Sequence, residues 1–238
     1  MKKIKGYVSI FLLAIIFTCF FNTVSFADDK SKVILIDPGH GGVDGGASSK
    51  AGVLEKDINL SVGLRLKKML EESGYTVHMT REDDCGLYTK GATIKEKKRE
   101  DLANRSKMKK ETNCDIFISI HQNTFPQGKY KGAQVWYAPK SDLSKNLANI
   151  MQSSLKESLD KENNRVAKDA GNEIRVLRNN NKGASILIEC GFLSNEEEAK
   201  QLASEEYQEK IARAIKDGVE KYLLQSKDSL GRPIFFNN

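Results

Sequence analysis

The sequence predicts an α/β protein with a single domain, a twisted, mostly parallel or mixed sheet, and helices on both faces of that sheet. Its 238 residues are a length that one domain can account for. Three continuous apolar runs, at 33–37, 115–120 and 184–188, are typical of strands that are buried on both faces. Segments with helical periodicity separate these runs, and strands that alternate with helices indicate this fold class.

The first apolar run leads through a glycine-rich loop into a helix. We expect a strand over Val33–Asp37, and the loop that follows it begins Pro38-Gly39-His40-Gly41-Gly42. A helix is predicted over Glu55–Ser73, because apolar side chains recur there at helical spacing and Gly74 is a natural stop after its last turn.

The middle of the chain combines a short strand, a charged helix and a second buried strand. Tyr75–Thr80 is predicted as the short strand, and residues 81–92 as a loop. The helix predicted over Thr93–Lys110 is so rich in charge that we expect most of its surface to be exposed. Its few apolar anchors are Ile94, Leu102, Ala103 and Met108. The second buried strand covers Asp115–Ile120, and His121 follows it directly.

The second half of the chain continues the alternation, without internal repeats or low-complexity blocks. Apolar side chains recur on one face of each predicted helix, and Glu189 directly follows the last predicted strand. The predicted strands are Gly132–Tyr137, Glu173–Leu177 and Ala184–Ile188, and the predicted helices are Leu143–Leu159 and Glu205–Leu224.

The first 27 residues are typical of a secretory signal peptide. Three lysines precede an apolar run over 7–21, and Ser25-Phe26-Ala27 places small residues before a cleavage point. The run is short for a spanning helix, which needs about 20 residues, so cleavage is favoured over a retained membrane anchor. We therefore expect export across the cytoplasmic membrane, a functional domain over 28–224, and a tail over 225–238 that carries Ile234-Phe235-Phe236.

The composition, with 39% hydrophobic and 29% charged residues, is that of a soluble globular protein. Without residues 1–27 the chain keeps 35 basic and 32 acidic side chains, so the net charge falls from +6 to +3. That charge is weak support for an anionic partner, and a solvated surface is its commoner explanation. Cys85, Cys114 and Cys190 remain, and their odd number without a CxxC pair excludes a disulfide scaffold and a zinc ribbon.

Four polar residues follow the predicted buried strands and are expected at the carboxyl ends of the sheet. In an open α/β sheet, functional groups gather at the carboxyl ends of the strands. His40, His121 and Glu189 follow the three buried strands, and Glu55 begins the first helix. Two imidazoles and a carboxylate are a ligand set of catalytic zinc, which leaves one position for water. A further carboxylate nearby can take a proton from that water.

The spacing of these residues leaves structural explanations open, because no HExxH pair is present. His40 is also explained as a loop residue, His121 as the end of a strand, and Glu55 as a first-turn acid favoured by the helix dipole. Glu189 is the hardest to explain without function. A carboxylate that directly follows a buried strand is costly to desolvate unless it is paired, hydrogen-bonded or protonated.

Further polar residues are weaker candidates. Asp37 or Asp44 is a possible partner that orients a ligand histidine, and Asn123 and Arg178 are possible contacts to substrate. A structural role is the simpler explanation for His78, which lies within a predicted strand. The glycine-rich loop lacks the spacing of a phosphate-binding motif, so we expect no nucleotide site and no nucleic-acid partner.

Three sequence blocks resemble the N-acetylmuramoyl-L-alanine amidase family of the third type. They are Asp37-Pro38-Gly39-His40-Gly41-Gly42 with the later Glu55, then Ser119-Ile120-His121-Gln122-Asn123, then Glu189-Cys190-Gly191-Phe192-Leu193-Ser194-Asn195. The resemblance covers about residues 33–224 and implies a plan related to the zinc carboxypeptidases. It also implies that His40, Glu55 and His121 bind Zn²⁺ and that Glu189 is the catalytic carboxylate.

The activity that the resemblance implies is hydrolysis of the amide between N-acetylmuramic acid and L-alanine in peptidoglycan glycan strands with stem peptides. Alternatives are a peptidoglycan carboxypeptidase or deacetylase, and a non-catalytic wall- or partner-binding domain, which the intact Glu189 argues against. Among family members the chain resembles the single-domain, germination-specific amidases of the spore cortex, with a vegetative amidase for cell separation or lysis as the alternative. With no separate wall-binding module expected, we also expect an accessory activator protein of the cell envelope.

Overall fold

The computed structural model describes residues 32–178 and 182–225. The predicted signal peptide and the apolar end of the predicted tail lie outside the described residues, so both stay predictions. No helix of the described part is long and apolar enough to cross a membrane.

A six-stranded mixed sheet forms the centre of the structure, in the order β2-β1-β3-β6-β4-β5. The first four strands in this order are parallel, β4 runs antiparallel to β6, and β5 is parallel to β4. This confirms the predicted mixed α/β sheet. The strands are β1 (Val33–Pro38), β2 (Thr76–Met79), β3 (Ile116–Asn123), β4 (Gln134–Tyr137), β5 (Lys168–Asp169) and β6 (Ala184–Phe192).

Helices cover both faces of the sheet, as predicted. One face and its helices α1, α3, α5 and α6 share a large apolar core that includes Ile34, Ile118 and Ile186. The other face, under α2 and α4, packs a smaller core around Leu35 and Phe117. The helices are α1 (Glu55–Glu72), α2 (Ile94–Glu111), α3 (Asp142–Leu159), α4 (Arg175–Arg178), α5 (Glu196–Leu202) and α6 (Glu205–Gln225).

The two central strands extend further than the apolar runs predict. Strand β3 continues through His121 to Asn123, and β6 continues through Glu189 to Phe192. The parallel ladder pairs His121 with Glu189 and then shifts register before Asn123. Backbone pairing at the carboxyl ends of these strands, rather than apolar side chains, therefore fixes the positions of His121 and Glu189.

The strand predicted over Glu173–Leu177 is wrong. The segment forms turn hydrogen bonds from Glu173 N to Ala170 O and from Leu177 N to Ile174 O, and it ends in the short helix α4. The edge strand β5 lies beside β4 instead, and the apolar residues of this segment pack into the smaller core rather than into the sheet. Helix α5 was not expected, although Asn195 caps it by accepting a hydrogen bond from Glu198 N.

Buried charged residues attach helix α2 to the domain, together with the predicted anchors Leu102 and Met108, which pack against the smaller core. Ile94 is 62% exposed, whereas Arg105 and Lys109 are the buried residues of the helix. Lys109 Nζ donates to Val176 O at 2.6 Å and lies 4.8 Å from the centre of the Phe117 ring. The predicted exposure of α2 holds for its outer surface, and its inner face combines these two cations with the two packed apolar anchors.

Arg105 of helix α2 forms a buried ion pair with Asp37. Its Nη1 donates to Asp37 Oδ1 at 2.6 Å, and Asp37 also accepts hydrogen bonds from the hydroxyls of Thr80 and Ser119, each at 2.7 Å. Burial alone would raise the pKa of Asp37, but the Arg105 charge and these hydrogen bonds outweigh burial and lower it. The pair connects α2 to the end of β1.

We predict that Ile118→Ala destabilises the protein while Ile94→Ala does not. Ile118 is fully buried in the large core, and truncation of a buried isoleucine costs about 2–5 kcal/mol. Ile94 undergoes the same change on the exposed surface, where effects stay within about 0.5 kcal/mol. Urea unfolding measures both variants, and equal losses would contradict this description of the core.

A second prediction concerns the ion pair. Arg105→Met leaves Asp37 buried without its partner charge, which costs about 3–5 kcal/mol. Arg99→Met makes the same change on the exposed side of α2, and we expect it to cost less than about 0.5 kcal/mol. Urea unfolding of the two variants is the measurement, and an unchanged free energy of unfolding in Arg105→Met would refute the role of the pair.

Candidate active site

The structure brings His40, Glu55 and His121 together at the carboxyl ends of β1 and β3. Glu55 Oε1 lies 3.2 Å from His40 Nε2 and 2.9 Å from His121 Nδ1. One donor atom from each residue lies within 4.8 Å of the other two. The three residues are therefore close enough to share one metal ion.

Two arginines hold the loop that carries His40 by donating hydrogen bonds to its main-chain carbonyl oxygens. Arg81 donates to Pro38 O and Gly39 O, both at 3.0 Å, and Arg105 donates to Pro38 O at 2.8 Å and to His40 O at 2.7 Å. His40 itself has a φ of 63°, which is rare for a residue with a side chain. These contacts hold the strained backbone in place and direct the imidazole at Glu55.

Gly39 is required by the close approach of the His121 ring. A Cβ atom at this position would lie 2.2 Å from Nε2 and Cε1 of His121, which is far inside van der Waals contact. The glycine therefore lets the imidazoles of His40 and His121 approach to 4.9 Å between ring centres. This is the physical reason for a glycine immediately before the first histidine.

Glu55 is buried and fixed through both carboxylate oxygens. Oε2 accepts from Ala47 N at 2.8 Å, and Oε1 accepts from Gln122 N at 3.0 Å. Burial alone would raise the pKa of Glu55, but its contacts with His121 and His40 outweigh burial and hold the pKa far below its usual range. The group is a carboxylate with one oxygen directed at both imidazoles.

Asp44 lies on the opposite side of the His40 ring. Its Oδ2 is 3.0 Å from His40 Nδ1, and its Oδ1 is 2.8 Å from Lys98 Nζ. Burial lowers the pKa of His40, but the hydrogen bonds with Asp44 and Glu55 raise it to about 9. At neutral pH this pKa leaves a proton on each ring nitrogen, so that Nδ1–H donates to Asp44 and Nε2–H to Glu55, and a metal ion would replace the Nε2 proton. Asp44 is thus in the orienting position, whereas Asp37 contacts Arg105 and no imidazole.

The donor set fits a divalent metal. With the Nδ1 proton on the Asp44 side, His40 Nε2 faces Glu55 Oε1 at 3.2 Å. Two lone pairs at this distance repel each other unless a proton or a metal ion lies between them. Nitrogen and carboxylate donors without thiolate suit zinc, and less specifically manganese or cobalt.

Glu189 lies beside this cluster on β6, paired in register with His121. Its Oε2 is buried without a hydrogen-bond partner among the described residues. Burial is the main cause that raises the pKa of Glu189 to about 7, against the lowering effect of His121. A carboxyl group with a pKa near neutrality is suited both to accept and to return a proton.

A cavity of about 340 Å³ opens at the two histidines. Its walls come from the loop that carries His40, from helix α2 and from the segment around α4. They include His40, His121, Lys98, Leu102, Glu173 and Arg175. The three remaining candidates of the sequence lie elsewhere. His78 is exposed on the edge strand β2, Asn123 is partly buried at the end of β3, and Arg178 is exposed at the end of α4.

Sequence analysis missed the residues that support the site. Arg81 and Arg105 hold the loop, and Asn59 Nδ2 donates to Gly39 O at 3.2 Å while its Oδ1 accepts from Gln122 Nε2 at 3.1 Å. Asn59 occupies the inner face of α1 beside Ile58 and Val62. A polar residue on an otherwise apolar helix face was the one available signal. Arg105 carried no such signal, because α2 is charged on all sides.

Comparisons with known proteins agree with this geometry. The sequence profile of the N-acetylmuramoyl-L-alanine amidases matches residues 34–221. The germination-specific N-acetylmuramoyl-L-alanine amidase of Bacillus subtilis is 36% identical over 238 residues, which cover 95% of this chain and 98% of that protein.

Among solved structures, the CwlD amidase of Clostridioides difficile, in complex with the GerS lipoprotein, is 46% identical. Its TM-score is 0.79, and the match covers 82% of this chain and 100% of that one. The amidase AmiC2 of Nostoc punctiforme is 32% identical with a TM-score of 0.68, over 81% and 97% of the two chains. The chain therefore belongs to the N-acetylmuramoyl-L-alanine amidase family.

Proposed function

We propose that this chain is a zinc-dependent amidase that cleaves the bond between N-acetylmuramic acid and L-alanine in peptidoglycan. His40 Nε2, Glu55 Oε1 and His121 Nδ1 would hold the metal. The observation that carries the proposal is the shared approach of two imidazoles to one oxygen of a buried carboxylate, with the unpartnered Glu189 beside them.

The side chains divide the chemistry between them. A bound zinc ion polarises the amide carbonyl and lowers the pKa of the attacking water. Glu189 accepts the proton of that water and returns it to the departing alanine nitrogen, so one carboxyl group is first base and then acid. Asp44 keeps the proton of His40 on Nδ1 and the Nε2 lone pair directed at the metal position.

We predict that Glu189→Gln abolishes cleavage and leaves metal binding intact. The amide keeps the size of the side chain but cannot accept the proton, and loss of a general base costs about 100-fold to 10,000-fold in rate. Peptidoglycan digests analysed by mass spectrometry, with zinc content measured in parallel, test this. The exposed Glu71→Gln on α1 is the matched control and keeps full activity.

The products of the same digests separate the alternatives. Amidase activity releases peptide stems that begin with a free L-alanine. Loss of terminal D-alanine would replace the proposal with a carboxypeptidase, and loss of acetyl groups would replace it with a deacetylase. Unaltered peptidoglycan from a zinc-loaded protein would favour a non-catalytic domain.

A further prediction concerns Asp44→Asn. The amide can hydrogen-bond to His40 in either orientation and no longer fixes its tautomer, so zinc affinity falls by about 10-fold to 100-fold. Competition with a chromophoric chelator measures the affinity. Asp142→Asn, on the exposed first turn of α3, is the control with unchanged affinity, and equal affinities in both variants would remove Asp44 from the site.

We also propose a role in the spore cortex, in which the enzyme removes stem peptides so that muramic-δ-lactam can form. The support is the germination-specific amidase of Bacillus subtilis, which matches this chain over nearly its whole length. A vegetative role in cell separation or lysis is the alternative.

Complementation distinguishes the two roles. Expressed during sporulation in a Bacillus subtilis strain that lacks its germination-specific amidase, the full chain is expected to restore muramic-δ-lactam to the cortex. The Glu189→Gln chain, produced to the same level, is expected to leave the cortex without it. Absence of the lactam in spores that contain active wild-type enzyme would exclude the cortex role.

Export and an accessory partner complete the proposal. The signal-like residues 1–27 would direct the chain to the wall or the spore envelope, where its substrate lies. The complex of the Clostridioides difficile relative with a lipoprotein supports an activator of the cell envelope. Full activity and full zinc occupancy in an isolated chain without the Ile234-Phe235-Phe236 end would argue against an activator.

A further inference from the structure

A second depression lies beside the active-site cavity, between helix α2 and the short helix α4. Its volume is about 460 Å³, and Leu102 and Arg175 belong to its walls as well as to those of the active-site cavity. Arg175 therefore stands at the boundary between the two spaces. We call this depression the basic groove; its walls are Leu102, Ala103, Ser106, Lys107, Lys110, Arg175 and Arg178.

Three of the four charged side chains of the basic groove have no counter-charge among the described residues. Lys107 pairs with Glu111 at 2.9 Å. Lys110, Arg175 and Arg178 form no ion pair or side-chain hydrogen bond with any other residue of the ranges 32–178 and 182–225. No carboxylate belongs to the wall of the groove. Cations gathered without counter-charges raise the local concentration of anions.

The substrate carries anionic groups on one side of the bond that is cleaved. The glycan is built of neutral N-acetylated sugars, and the lactyl carboxyl group is consumed in the amide. The stem peptide carries free carboxylates beyond its first alanine. An arginine can bind such a carboxylate through two parallel hydrogen bonds, and a lysine can add a point charge.

We propose that the basic groove binds the carboxylates of the stem peptide, and that Arg175 is a specificity-determining residue for it. This inference rests on the proposed amidase function. The peptide leaves the active-site cavity past Arg175, and Lys110 and Arg178 face the carboxylates further along. The glycan strand takes the remaining side of the cavity. Stems whose glutamate carboxyl group is free are preferred over stems in which it is amidated.

Two synthetic substrates test the preference in the full chain. Both consist of N-acetylmuramic acid with a stem tripeptide, and they differ only in whether the α-carboxyl group of D-glutamate is free or amidated. We expect the wild type to cleave the free acid with the higher kcat/KM. In Arg175→Gln the KM for the free acid rises by about twofold to fivefold, because an exposed charge pair contributes up to about 1 kcal/mol, while kcat changes little.

Lys68→Gln is the matched control. It removes one positive charge from the exposed surface of α1, which packs on the opposite face of the sheet, and its preference equals that of the wild type. Binding of the free tripeptide product, measured by calorimetry, gives a readout that does not depend on turnover. We expect the Kd of the tripeptide to rise in Arg175→Gln and in Lys110→Gln. In the wild type we expect this Kd to rise with the salt concentration.

The outcomes separate this inference from the proposed function. Equal cleavage of both substrates by the wild type, or an unchanged preference in Arg175→Gln, overturns the subsite and leaves the amidase intact. Tighter binding of an anionic wall polymer than of the tripeptide, lost in the same variants, assigns the groove to that polymer and also overturns the subsite. Release of no alanine-terminated peptide from either substrate refutes the subsite together with the amidase.

Discussion

The ion pair between Asp37 and Arg105 holds the loop that carries His40 in place at the carboxyl end of β1. Both side chains lack contact with solvent, and removal of two charges from water is offset only when the remaining hydrogen-bonding capacity is used. Here it is used on the backbone: the guanidinium that neutralises Asp37 also donates to Pro38 O and His40 O. The energetic demand of the buried pair and the placement of His40 are thus met by one side chain, so neither can change alone.

The sheet supplies the rest of the geometry. Because β1, β3 and β6 are parallel neighbours, their carboxyl ends bring His40, His121 and Glu189 to one edge. Glu55 reaches the same edge because helix α1 begins there, and its oxygens accept the amides of Ala47 and Gln122. Four residues distant in sequence therefore need no flexible loop to meet, apart from the one that the two arginines hold. This rigidity keeps a carboxylate, two imidazoles and a second carboxyl group in a fixed arrangement.

The sequence predicted the parts of this arrangement that depend on apolar patterning. The buried strands and the long helices follow from continuous or periodic apolar residues, and the polar residues that end the strands follow from them. The segment 173–177 was misassigned because its apolar residues pack under α2 instead of pairing with a strand, and only tertiary contacts decide between these fates. Arg81 and Arg105 were missed for a related reason. Their role is to donate to backbone carbonyls, and no spacing in the sequence marks which carbonyls lie nearby.

Helix α2 shows why the small number of apolar anchors did not reveal how the helix is attached. Its Arg105 and Lys109 face inward. Arg105 donates to His40 O in the loop that follows β1, and Lys109 donates to Val176 O in the cavity wall. Lys98 reaches Asp44 from the same helix. Cations with long apolar stems can fill buried space and still deliver a charge at their ends. Helix α2 therefore contacts the cavity wall through charge as well as through the hydrophobic contacts of Leu102 and Met108. A leucine in place of Arg105 would leave His40 O without this donor and Asp37 without its partner charge. A leucine in place of Lys109 would leave Val176 O without its donor, so in either case a contact that fixes α2 to the cavity wall would be lost.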